Sequence, residues 1–214
     1  MRALLLAGLI SVSTTFTAFA GHETTIDKKE VAPTEEFSPF SKGHFELEIG
    51  AGAFGSIVTQ NTPKRPDVGY AIGEVRFGLM LSDPMGSGLC RGNLEGMLEL
   101  FGAGIFTGPG DQIYGASFIL RWNFVQPAAH IVPFIQIQGG GAYSDMANDD
   151  PVQRLVGSDF SFTFGAEIGV RCMIRPNIAI TTSLEYRHIS NADMAARNVG
   201  LNSLGGTLAV NLFY

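Results

Sequence analysis

Past residue 43 the chain alternates apolar and polar side chains with a period of two, and it does so eight times. The stretches lie near 44–56, 70–81, 92–105, 112–124, 131–143, 159–173, 178–190 and 203–214, separated by turn-forming runs such as "SDPMGSG", "TGPGD" and "RPN". Each predicts a β-strand with two unlike faces. In the fourth, Tyr114, Ala116, Phe118, Leu120, Trp122 and Phe124 share one side, against Ser117, Arg121 and Asn123 on the other. In the sixth, Phe160, Phe162, Phe164, Ile168 and Val170 oppose Ser161, Thr163, Glu167 and Arg171.

Such alternation also suits a soluble sandwich, whose apolar faces pack inward. The last stretch, "SLGGTLAVNLFY", favours a membrane: Leu204, Leu208, Val210, Leu212 and Tyr214 share a face and the chain ends on an aromatic residue. Eight alternating segments of about ten residues fit an all-β, eight-stranded antiparallel transmembrane β-barrel, which satisfies every backbone hydrogen bond within lipid. Its interior would then hold Glu46, Glu48, Glu74, Glu95, Glu99, Glu167 and Glu185 beside Arg76, Arg121, Arg171 and Arg187. An eight-stranded barrel is narrow enough for side chains to fill, so these charges predict a paired polar core rather than a pore.

The N-terminal region has a different pattern. Residues 1–20, "MRALLLAGLISVSTTFTAFA", carry one cation, an apolar run and a small-x-small ending, as a secretory signal peptide does. Residues 21–43 are rich in charge, Thr and Pro, which predicts a flexible periplasmic lead-in, and the barrel is expected over 44–214. With an even strand number both ends lie on the periplasmic side. The turns near 82–91, 125–130 and 174–177 then belong to the periplasm, and the connections near 57–69, 106–111, 144–158 and 191–202 face outward.

Composition narrows the function. Without Arg2, the 14 basic residues become 13 against 20 acidic ones, a net charge near −7, which argues against nucleic acid as a partner. There is no CxxC and no His/Cys cluster at zinc spacing, so neither a metal nor any other cofactor is implied. Cys90 and Cys172 fall three strands apart, roughly 14 Å around the wall, so they are expected to stay unpaired unless the 82–91 turn folds across the barrel end. "NDDP", Asn148 to Pro151, reads as an exposed acidic loop.

The candidate chemistry lies in "LEYRHISNADMAARNVGLN", residues 184–202. On the seventh strand His188 and Ser190 share the lipid-facing side and come last, at the outer rim. Polar groups are costly there and mark function, although a histidine and a serine at headgroup level also arise by chance. A serine hydroxyl becomes a competent nucleophile when a neighbouring imidazole takes its proton, and the adjacent Asn191 carries an amide able to support the oxyanion.

The run from Arg187 to Ala192, followed by Asn198-x-Gly200-x-Asn202, resembles the signature of the outer-membrane lipid A 3-O-deacylase family. The resemblance implies an eight-stranded barrel that hydrolyses an ester-linked acyl chain of lipid A, with lipopolysaccharide as substrate in the bacterial outer membrane. It implies Ser190 as nucleophile, His188 as general base and Asn191 as oxyanion support. It departs at one point: the glutamate that orients the histidine in the family lies 12 positions after the serine, where this chain has Asn202. Asp193 is a possible substitute acid, and Asn198 and Gly200 suit turn geometry as well as catalysis. A passive structural barrel and a phospholipid hydrolase remain the alternatives.

Overall fold

The computed structural model describes residues 38–58 and 65–214, so the expected signal peptide and most of the lead-in lie outside the described residues. Eight strands form, at Phe45–Ser56 (β1), Gly69–Met80 (β2), Asn93–Thr107 (β3), Gln112–Asn123 (β4), Ile131–Ser144 (β5), Phe160–Arg175 (β6), Ile178–Ser190 (β7) and Leu201–Phe213 (β8). Each pairs antiparallel with its neighbours, and β1 pairs with β8, closing the barrel. A short helix, α1 (Met146–Asp149), lies in the connection between β5 and β6.

Side-chain parity sorts the wall as the alternation predicts. Phe45, Ile49, Phe77, Phe118, Ile137 and Leu208 are each at least half exposed on the outside. Large apolar side chains so numerous and so open are stable only against hydrocarbon, and this apolar belt makes the barrel a membrane-spanning one.

Inside, three layers stack. The middle layer is ionic: Arg76 bonds Glu48 at 2.8 Å, Glu74 at 3.1 Å and Glu167 at 3.1 Å, while Arg171 bonds Glu46 at 2.7 Å and Arg187 bonds Glu185 at 2.6 Å. All eleven charged residues expected in the interior are buried. Carboxylates outnumber guanidiniums there, and amides supply further donors, as from Gln136 to Glu167 and from Asn211 to Glu48. Burying charge in this way is tolerable only because partners surround it.

Apolar layers lie above and below. The lower one gathers Phe40, Met80, Val132 and Phe213. Residues 38–43, expected within the flexible lead-in, instead form a turn that tucks Phe40 under the barrel, its ring 5.5 Å from that of Phe213. The upper layer gathers Phe54, Tyr70, Phe101, Leu155, Ile189 and Leu201, so the connection 145–159 contributes to it. The interior thus carries buried ion pairs between two apolar layers.

The upper end carries residues 57–58 and 65–68 and the connections 108–111, 145–159 and 191–200; the lower end carries 81–92, 124–130 and 176–177. Cys90 and Cys172 are both free. The acidic loop residues act as staples: Asp149 accepts the Gly110 N–H at 2.8 Å and Asp150 that of Val152 at 2.9 Å.

Candidate active site

β7 climbs to the upper rim with Thr181, Glu185, Arg187 and Ile189 buried inside and Leu184, Tyr186, His188 and Ser190 turned outward. Ile189 is the anchor: it packs into the upper apolar layer between His188 and Ser190 and fixes which way both point. His188 and Ser190 are half-buried, with Phe164 opposite His188 and Phe162 opposite Ser190 on β6. Imidazole and hydroxyl therefore emerge together on the lipid-facing wall, beside aromatic rings.

Asn202 was expected in the loop 191–202, but it stands in β8 as the cross-strand partner of His188. Gly200 allows this. Its φ of +80° ends the loop early, and pairing resumes at Leu201 opposite Ile189. Asn202 consequently shares the outward face with the histidine, and its Oδ1 lies 2.8 Å from His188 Nδ1. An amide oxygen at that position is satisfied when Nδ1 carries the proton, which leaves Nε2 with a lone pair and makes the ring a base. The same oxygen accepts the Tyr186 hydroxyl at 2.6 Å.

The loop 191–200 is tightly built. Ala192 and Asp193 both adopt positive φ, 50° and 60°, an arrangement costing roughly 1 kcal/mol or more per non-glycine residue. Asn198 holds the turn together, accepting the Asn191 N–H at 2.9 Å and donating to Asp193 Oδ1 at 2.9 Å. Arg197 clasps the neighbouring connection by donating to the carbonyls of Asp150 at 3.0 Å, Gln153 at 3.3 Å and Ala147 at 3.1 Å. Backbone bonds Val199 N–H to Arg154 O and Gly200 N–H to Leu155 O extend the seam.

The family model of lipid A 3-O-deacylase (PagL) matches residues 90–211, more than half of the chain. The chain belongs to the lipid A 3-O-deacylase family. The matched span includes His188, Ser190 and Asn202. Among solved structures, the outer membrane enzyme PagL superposes with a TM-score of 0.51 at 17% identity, covering 77% of this chain and 97% of that one. Neisserial surface protein A superposes with a TM-score of 0.53 at 15% identity, covering 80% and 98%. Both share the barrel fold. No curated protein sequence matches the chain.

Two residues expected at this deacylase-family site take other places. The Asn191 side chain is buried and its amide nitrogen donates to Arg197 O at 2.9 Å, so it ties the loop rather than reaching toward Ser190. The Asp193 carboxylate is held by Asn198, whereas the histidine's Nδ1 is held by Asn202. Sequence reasoning gave no role to Tyr186 or Arg197. The tyrosine's shared face with His188 was a readable signal; the carbonyl clasp of Arg197 left none.

Proposed function

We propose that the chain hydrolyses an ester-linked acyl chain of lipid A, the 3-linked chain of its family's reaction, by serine acyl transfer at the outer rim of the barrel. The observation that carries this reading is the outward pair His188 and Ser190 with Asn202 Oδ1 on Nδ1 of the ring. The upper end, with the longer loops, is assigned to the cell exterior, where lipid A forms the outer leaflet.

The Ser190 hydroxyl attacks the acyl carbonyl carbon while His188 Nε2 takes its proton. The tetrahedral oxyanion needs N–H donors. Ala192 and Asp193, at positive φ just after the serine, donate to no acceptor among the described residues and are assigned that task. Collapse breaks the ester C–O bond, and the imidazolium returns its proton to the leaving sugar hydroxyl. Water, deprotonated by the same ring, then releases the fatty acid from Ser190. Because the pair faces hydrocarbon, the substrate reacts without leaving the membrane.

Mass spectrometry of lipid A from cells making the wild type and Ser190→Ala tests the reading. The wild type should yield lipid A lacking one hydroxyacyl chain, and the variant intact lipid A. Identical acylation in both overturns it. Fatty acid released from purified phospholipid but not from lipopolysaccharide would reassign the substrate.

A further inference from the structure

We infer that Tyr186 is a positioning residue that sets the tautomer of His188 through Asn202; this rests on the serine esterase reading above. Tyr186, His188 and Ser190 occupy alternate positions of β7 and share its outward face. Across the strand pair, Asn202 stands opposite His188 and diagonal to Tyr186, whose own partner is Leu204. A long aromatic side chain spans that diagonal. The outcome is one oxygen with two donors: Asn202 Oδ1 lies 2.6 Å from Tyr186 Oη and 2.8 Å from His188 Nδ1.

The need for such a residue follows from having an amide where a carboxylate would serve. Both oxygens of a carboxylate accept, so a glutamate orients imidazole correctly whichever oxygen it presents. An asparagine offers one acceptor and one donor. Turned by half a rotation, its Nδ2 would donate to His188 Nδ1, drive the ring proton to Nε2 and remove the base. The Tyr186 hydroxyl opposes that rotation. Phenol is a good donor and a poor acceptor, because its oxygen lone pair is delocalised into the ring, so it favours Oδ1 at the junction. Asn202 then receives both protons, and His188 keeps the tautomer in which Nε2 is free. The effect is one of orientation alone: no charge is added to stabilise imidazolium.

The position of Tyr186 suits this use. It is half-buried on the membrane face, beside but not within the loop 191–200, and removing its hydroxyl leaves the ring's packing intact.

The test combines a spectroscopic and a kinetic reading on the full chain folded in detergent micelles. Nitrogen-15 chemical shifts of His188, identified by the signals missing in His188→Gln, report which ring nitrogen carries the proton. The wild type should show the proton on Nδ1, and Tyr186→Phe a shift of population toward Nε2. On lipopolysaccharide, Tyr186→Phe should lower kcat by roughly tenfold, the rate equivalent of one net hydrogen bond, with KM unchanged. With Asn202→Glu already in place, Tyr186→Phe should leave kcat unchanged, since a carboxylate accepts in either orientation. An unaltered tautomer in Tyr186→Phe, or an equal loss of kcat in both backgrounds, overturns the inference. If the wild type proves to have no Ser190-dependent hydrolysis, the esterase reading fails by itself, and the nitrogen shifts still decide whether Tyr186 governs the ring.

Discussion

Gly200 lies so close to His188 that a β-carbon at this position would come within 2.7 Å of the imidazole Cε1. The same glycine has a φ of +80°. Backbone strain and steric contact therefore both forbid a side chain, and the contact falls on the ring proposed as the base. Gly200→Ala should reduce deacylation by at least about tenfold, as a small misplacement of a reacting group does. The barrel should remain intact, because its wall pairing starts again one residue later. Activity assays beside heat-dependent gel mobility separate the two effects; an active, folded variant would show that the ring has room to move.

Asn202→Glu restores a carboxylate beside the ring. A negative charge favours the charged form of imidazole, so the acidic limb of the kcat/KM profile should move to higher pH than in the wild type. On the alkaline side kcat should rise, because the imidazolium formed during attack gains a counter-charge that asparagine cannot provide. A pH–rate series on both proteins checks the sign.

Arg197 joins the loop 191–200 to the connection 145–159 through three carbonyl oxygens. Arg197→Gln removes most of those donors. Arg154, exposed within that connection, should then become a site of tryptic cleavage in the folded protein, while the wild type resists. Deacylation should fall in parallel, since Gly200 and the positive-φ pair Ala192 and Asp193 belong to the same loop. Resistance at Arg154 in the variant would count against the clasp.

Arg76 is buried among Glu48, Glu74, Glu99 and Glu167. Arg76→Met would leave several carboxylates without their common cation. Breaking a buried ionic cluster from one side costs about 3–5 kcal/mol. Urea unfolding in micelles should show the lowered midpoint, whereas the activity of the fraction that remains folded should be close to wild type, because Arg76 lies inside the wall and Ser190 outside it.

Much of this architecture is legible in the chain itself. A strand has only two faces, so the placement of Glu48, Arg76 and Arg121 inside and of Phe118, His188 and Ser190 outside follows once the membrane is recognised as the outer solvent. Asn202 was less legible. In the sequence it sits among turn formers, and only the left-handed backbone of Gly200, together with pairing of Leu201 to Ile189, draws it into β8. The engagement of Asn191 with Arg197, and of Asp193 with Asn198, depends on how two loops distant in sequence meet. Periodicity carries no information about that. Tyr186 lies between these cases: its face could be read, its diagonal reach to Asn202 could not.

The stacked interior, apolar at each end and ionic at mid-height, has a bearing on the cell that carries it. Buried ion pairs between two apolar layers leave the described barrel without the water-lined interior of a wide pore, and the chemistry proposed for its outer wall would require no opening of the cylinder. Acting as proposed, such a protein would trim the lipids beside it without adding a channel to the membrane that holds it.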